Sequence, residues 1–248
     1  FLDEFLDDNF CNLQYAYTEC GTEHVIHRVR EIHRTTPSKR IVLLDCKNAF
    51  NTVSRKGIFE VIKEDDRLGI IAPIVNMMYG EPSKLHCDLV PDLMSEEGTK
   101  QGSILGGLLF NAVIQPIMRR VQTNYPQTEL FAICDDITCI VEDADAVNVI
   151  TELVTQLKAI GLEVNHSKTK VIEPTPMISS AFNFIHAPLG ARLLGSWIGD
   201  DKEAIQFLTN HISTFEHFFG SIAKLPAIVG LPLLQKCGVP KMVHICRT

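Results

Sequence analysis

The sequence predicts an α+β fold in which an antiparallel sheet packs on helices. Three observations carry that reading. Ile41-Val42-Leu43-Leu44 is an unbroken apolar run ending at Asp45, as in a strand buried on both faces. Thr128–Val141 holds two short apolar runs on either side of Cys134-Asp135-Asp136, the pattern of a β-hairpin with its acidic pair at or beside the turn. Two long stretches, 103–123 and 143–161, repeat apolar residues at helical spacing.

Taken in order, Phe1, Leu2, Phe5 and Leu6 suggest a short acidic helix. Gly21-Thr22-Glu23 opens a second helix whose inner face is Val25, Ile26, Val29 and Ile32. Its other side carries His27, Arg28, Arg30 and Arg34, which reads as a solvated face. After the strand at Ile41–Asp45, residues 51–54 read as a loop. Ser54 caps a helix running to about Leu68, with Gly69 at its end. Pro73 begins a further helical turn closed by Gly80, and Lys84–Leu89 alternates like an edge strand. Ser103 starts the long apolar helix, with Pro116 expected to kink it.

Asp143 is expected to cap the next helix, with Val147, Ile150, Val154 and Leu157 inward and Gly161 at its C-terminus. Leu162–Val164 and Thr169–Glu173 read as strands. Prolines 174 and 176 then break the chain. Phe182–Ile185 and Arg192–Ile198 are expected to pair as a second hairpin, followed by a helix over 201–222.

The 248 residues, 46% hydrophobic and 21% charged, suffice for a substantial core. There is no internal repeat, low-complexity tract or apolar run of the roughly 18 residues a membrane span needs. The N-terminus lacks a basic-then-apolar signal pattern. The chain opens on Phe1 rather than Met, so it is expected to be a fragment or processed piece. Eight scattered cysteines form no Cys-x-x-Cys pair, and Cys46, Cys134 and Cys139 lie in apolar runs. That usage points to a reducing intracellular compartment. Cys20, His24 and His27 lack a fourth ligand at finger-like spacing, so zinc is not expected. Thirty acidic against 23 basic residues give a net charge of −7, the opposite of the basic footprint usual in nucleic-acid binders.

An Asp-Asp pair in a turn is commonly structural, because Asp bonds its own backbone there. Asp45, at the end of a second strand, changes its meaning. Three carboxylates at strand ends can gather hard cations such as Mg²⁺, which prefer oxygen ligands shared with substrate phosphates. Two such ions can hold both the attacking and leaving oxygens of a phosphoryl transfer.

Asp45-Cys46-Lys47-Asn48-Ala49-Phe50-Asn51 resembles the first palm motif of reverse transcriptases, and Gly98-Thr99-Lys100-Gln101-Gly102-Ser103 their second. Ile133-Cys134-Asp135-Asp136 stands where the family carries aromatic-Ala-Asp-Asp. Gly161-Leu162, Asn165 and Lys168-Thr169-Lys170 resemble the fourth motif, and Leu194-Gly195 the primer grip. Leu234–Pro240 resembles a thumb segment of non-LTR elements. The palm motifs stand in the family's order over about 150 residues.

The resemblance implies a right-hand polymerase palm with a ferredoxin-like core over 41–200. Residues 1–40 would be partial fingers and 201–248 the start of a thumb. It implies RNA-directed DNA synthesis with two Mg²⁺ or Mn²⁺ ions, an RNA template, a DNA primer and a dNTP. Asp45, Asp135, Asp136 and the Cys46 carbonyl would hold the ions. Asn48 and Ala49 amides would meet nucleotide phosphates, Phe50 would lie under the sugar, and Gln101-Gly102 would border the sugar or template. Lys168 or Lys170 could protonate the departing pyrophosphate, and Leu194-Gly195 would support the primer. Ile133 and Cys134 depart from the family's aromatic-Ala pair, and the basic fingers residues over the triphosphate lie upstream of this chain. A second reading is therefore an inactive, domesticated domain serving as a structural or RNA-binding subunit of a larger assembly. An unrelated Mg²⁺ phosphotransferase would explain the carboxylates but not Gln101-Gly102 or Leu194-Gly195.

Overall fold

A computed structural model describes residues 5, 6, 8, 10, 12–85, 93–100 and 102–248. Its centre is β1, Lys39–Leu44, whose neighbours on both sides lie far along the chain. It pairs antiparallel with β5 (Asp136–Glu142) from Lys39 opposite Glu142 to Leu44 opposite Ile137. On its other edge it pairs antiparallel with β6 (Lys170–Ile172). β4 (Glu129–Ile133) flanks β5, and β7 (Ile185–His186) flanks β6, giving the order β4-β5-β1-β6-β7. The β6–β7 pair is parallel.

Strand alternation divides the side chains between two cores. Val42, Leu44, Ile137, Cys139, Val141 and Val171 point to one face. There they meet the helix called α5 below, Gly106–Asn124, and α6, Ala146–Ala159. Ile41, Phe131, Ile140 and Ile172 point to the other. That face is covered by α1, Gly21–Thr35, through Val25, Ile26, Val29 and Ile32, the stripe its periodicity predicts. Each fully buried aliphatic of this stripe contributes roughly 1.5–3 kcal/mol. The second hairpin, β8 (Gly190–Leu193) and β9 (Ser196–Gly199), completes the cover with Ala191, Leu193 and Ile198. The cover spans the Lys39 end of the sheet. At the Asp45 end it leaves a cleft.

Several local expectations need correction. Of the expected loop over 51–54, residues 51 and 52 end a short helix, α2, Ala49–Thr52, and only 53–54 are irregular. Ser54 does cap α3 (Arg55–Glu64), its hydroxyl accepting from the Gly57 N–H at 3.2 Å. That helix stops before Leu68, because the Asp65 carboxylate accepts from the Arg67 N–H and starts a 3₁₀ turn over Asp66–Ile71. α4, Ala72–Tyr79, follows with its early proline. Ser83–Lys84 pairs with Met94–Ser95 as β2 and β3, while residues 86–89 of the expected edge strand lie outside the described residues. α5 runs unbroken through Pro116.

Asp143 does not cap α6. It is drawn instead to Arg40, 2.6 Å away, and Asp145 takes the cap position. With the start at Ala146, the buried stripe is Ala146, Val149, Ile150, Leu153 and Leu157, leaving Val147 exposed. Gly161 terminates the helix at φ 84°, where a Cβ would meet the Thr52 carbonyl. Val164 makes only an isolated bridge, to Cys46. The pairing of Phe182–Ile185 with Arg192–Ile198 does not form. Ile178–Phe182 is a short helix, α7; β7 joins the main sheet, and the hairpin closes within 190–199 on Leu194-Gly195, both at positive φ.

C-terminal to the sheet, α8 (Asp201–Ala223), capped by Asp200, leads to α9 (Ala227–Leu233), a π turn at Leu234–Gly238 and α10 (Val239–Arg247). No helix among the described residues is long and apolar enough to cross a membrane.

Candidate active site

Asp45 follows β1 and continues its register, so it stands opposite Asp136, one residue beyond Leu44 and Ile137. Alternation puts Asp45 on the same face as Ile41 and Leu43, toward the cleft, and Cys46 on the core face, where it is buried. Asp135 sits in the two-residue turn between β4 and β5, after Cys134 at φ 55° and inside the pair Ile133 opposite Asp136. Asp135 is half-buried and Asp136 opens to solvent.

The three carboxylates feel one another. Burial first, then the nearby Asp45 charge, pushes Asp135 above the ordinary carboxylate range, against the pull of a backbone hydrogen bond. Asp136, whose carboxylate is partly screened from water although the residue as a whole is exposed, rises first through that desolvation, then through Asp135 and Asp45. The Cys46 thiol is pushed up to about 12 by its burial and then by the nearby charges of Asp135 and Asp45, so it stays protonated and is no thiolate ligand.

The cleft is a cavity of about 350 Å³. Asp45 and Asp136 lie on its floor; Lys168, Lys170 and Arg192 form a cationic wall, and Leu194 reaches in from the hairpin turn. The β1–β6 register, Leu43 opposite Lys170, places Lys170 on the cleft face, and Lys168, in the turn before β6, lines the same cavity as Asp45. Gly195 faces away, lining a separate pocket with Arg30 and Trp197. The expected primer-grip pair is thus divided between two sides of one hairpin.

The first and second motifs are joined by backbone. Gly98, at φ 76°, donates to the Val53 carbonyl and lies so close to Asn51 that a Cβ would fall 2.3 Å from its carbonyl carbon. Thr99 donates to the Phe50 carbonyl at 2.6 Å. Asn48 takes a left-handed conformation and is exposed, while Ala49 is buried. The Phe50 ring stacks on buried Phe110 with centroids 4.4 Å apart, so it is anchored in the core while only partly buried. Gly102 has φ 80° and open space around it. Gln101 lies outside the described residues.

Sequence reasoning missed two contributors. Thr169, fully buried, accepts from the Asp45 N–H at 3.2 Å and fixes the carboxylate's backbone. Arg192 enters the cleft from β8, and its signal was present as the polar position alternating with Ala191 and Leu193. The basic side of α1, by contrast, is engaged. Arg28 pairs with Glu31 and Glu129, Arg34 with Asp201, and Arg30 bonds the Ser196 hydroxyl and the Trp197 carbonyl.

Among the described residues, no three His, Cys, Asp or Glu side chains converge into a ready-made metal cage. The donors nonetheless suit Mg²⁺ or Mn²⁺. They are hard carboxylate oxygens, and such ions take one or two protein carboxylates and complete their shells with substrate phosphate and water. Asp45's own carbonyl is spent on Asn165, whereas the bridge at Cys46 uses the Lys47 N–H and leaves the Cys46 carbonyl out.

A sheet with acidic residues at the end of its central strand and in the adjoining hairpin turn, backed by helices, is the palm of a right-hand polymerase. The family model described as reverse transcriptase (RNA-dependent DNA polymerase) matches residues 2–212, and the chain belongs to that family. Over 157 residues it is 29% identical to the retrotransposable element SLACS 132 kDa protein of Trypanosoma brucei gambiense, covering 62% of this chain and 13% of that one. Apo telomerase from Candida tropicalis shares the fold at TM-score 0.58 and 14% identity, over 80% of this chain and 38% of its own. Candida albicans telomerase, in complex with a TWJ fragment of telomeric RNA, gives 0.54 and 13%, over 70% and 34%. The chain therefore spans well under half the length of each.

Proposed function

We propose that this chain is the palm region of a retroelement-type polymerase that copies RNA into DNA, adding dNTPs to a primer 3′-hydroxyl. The observation that carries this reading is the approach of Asp45, at the end of β1, and Asp136, at the start of β5, on the floor of one cleft, with Asp135 beside them in the adjoining turn. Residues 1–40 serve as partial fingers, 41–200 as palm and 201–248 as the start of a thumb.

Asp45, Asp135, Asp136 and the Cys46 carbonyl would hold two divalent ions, which when bound lower the pKa of the primer hydroxyl and neutralise charge on the phosphoryl group. Thr169 and the β1–β5 register hold the carboxylates in place. Asn48 and Ala49, shortly after Asp45 in the chain, would offer backbone amides to the nucleotide's phosphates. Phe50, fixed by Phe110, gives the sugar a rigid floor that excludes a 2′-hydroxyl. Gln101 and Gly102 border the same nucleotide, Lys168 or Lys170 protonates the leaving pyrophosphate, and Leu194 with Gly195 supports the primer end. The local cations of the cleft supply the phosphate attraction that the net charge of −7 does not.

Primer extension on an RNA template, using the longest natural form beside its Asp135→Asn/Asp136→Asn variant, tests the proposal. Extension lost only in the variant supports it. A folded protein that extends nothing points instead to a structural or RNA-binding subunit, a reading favoured by Ile133 and Cys134 at the turn.

A further inference from the structure

The Asp135–Asp136 turn rests on a buried polar pair outside every motif described above. Gln14 is 1% exposed and Asn111, on α5, is fully buried. Segment 13–15 runs along the edge of β4: the Ala132 N–H donates to the Leu13 carbonyl and the Tyr15 N–H to the Ala132 carbonyl, both at 2.7 Å. Those two bonds flank Gln14 and fix where its side chain begins. Its amide then pairs with the backbone of Cys134. Oε1 accepts from the Cys134 N–H at 2.9 Å, and Nε2 donates to the Cys134 carbonyl at 3.4 Å.

Asn111 closes the arrangement. Its Oδ1 accepts from Gln14 Nε2 at 3.0 Å, and its Nδ2 donates to Cys134 Sγ at 3.8 Å. It also hydrogen-bonds the Tyr17 side chain. Gln14 Oε1 receives a second bond from the Ala16 N–H at 3.2 Å.

We propose that Gln14 and Asn111 are positioning residues that set the conformation of the carboxylate turn. Cys134 is the residue under strain there: a non-glycine residue at φ 55° costs roughly 1–2 kcal/mol and persists only where its surroundings over-determine it. Its N–H and carbonyl, at the tip of a two-residue turn, have no strand partner, and a side-chain amide reproduces the missing rung. A buried polar pair adds little net stability over a well-packed apolar one, so its value lies in specifying geometry. The geometry specified is that of the next two residues, Asp135 and Asp136. The departure from the family's small residue also gains a reason, since Cys134 Sγ is the acceptor for Asn111.

The proposal rests on the polymerase reading for its catalytic consequence but not for its structural one, and the test separates them. Gln14→Met and Asn111→Leu keep volume and remove the bonds. Amide hydrogen exchange is measured in the full chain, with single-nucleotide extension kinetics in parallel. The expected result is at least tenfold faster exchange at the Cys134 amide, unchanged exchange at Cys139 and Ile140, and kcat lower by tenfold or more with KM for dNTP within twofold. Cys134 exchange unchanged in both variants, or rising equally along β4 and β5, overturns the proposal. So does unaltered kcat with a loosened turn. Should the unmutated protein add no nucleotide, the polymerase reading fails and the exchange comparison alone decides the role of Gln14 and Asn111.

Discussion

Asp45 and Asp136 stand opposite each other one residue past the last β1–β5 rung, Leu44 against Ile137. The same sheet that buries Ile41 and Ile140 therefore ends by forcing like charges together. Asp135 and Asp136 both titrate above the ordinary range, so the fold disfavours their charged forms. A raised carboxylate pKa stabilises the fold below the ordinary range and loses that contribution as pH rises through the raised value.

In EDTA, Asp135→Asn is accordingly expected to raise the melting temperature at neutral pH by about 2 °C and to flatten its change toward mildly acidic pH. Mn²⁺ should stabilise the unmutated protein and not the variant. Melting curves with and without Mn²⁺ check both, and a variant less stable than the parent in EDTA would count against the repulsion.

The glycines of the second motif should separate cleanly. Gly102→Ala meets open space and bears only the cost of its positive φ, about 1 kcal/mol. Gly98→Ala adds a Cβ 2.3 Å from the Asn51 backbone, which cannot rotate away. Its loss should exceed that of Gly102→Ala by at least about 2 kcal/mol in denaturant unfolding. Equal costs would show that the 51–54 segment yields.

Arg55 is 6% exposed and donates to the carbonyls of Ser95, Glu97 and Gly98 and to the Ser95 hydroxyl, with Tyr79 beneath its guanidinium. Arg55→Met leaves those acceptors without a donor and should cost about 3 kcal/mol. A lowered urea midpoint at constant slope is the expected signature.

Lys170→Met and Arg192→Met test the cationic wall. Among the described residues neither cation makes an ion pair, so each is available to a phosphate. Each change should weaken binding to a primer–template duplex and lower the slope of log K against log salt by about 1. An unchanged slope would place the nucleic acid elsewhere.

The sequence made the apolar strand at 41–44, the acidic hairpin and the α1 stripe legible, because each is a local pattern with one period. Asp143 misled because a cap and an ion pair compete for one carboxylate, and Arg40, distant in sequence, won. The 178–199 region was misread for a different reason. Its hairpin turns on Leu194 in a left-handed conformation, which side-chain propensity does not announce, and β7 pairs in parallel with a strand. Asp45, Asp135 and Asp136 were legible as carboxylates at strand ends, because each borders an apolar run. Gln14 was not, since a single polar residue among aromatics gives no sign that it will be buried against a turn 120 positions away.

The central position of β1 also governs how the chain can reach this state. Leu44 has no rung until Ile137 exists, and Ile41 waits further, for Ile172. During synthesis the apolar run 41–44 and the stripe of α1 must remain uncommitted while more than half the domain is still to be made. Closing such long loops is slow, and an unpaired apolar strand in the interval is prone to find the wrong partner. The arrangement that brings Asp45 to the Asp135–Asp136 turn thus leaves the nascent chain open to mispairing until most of the domain has been made.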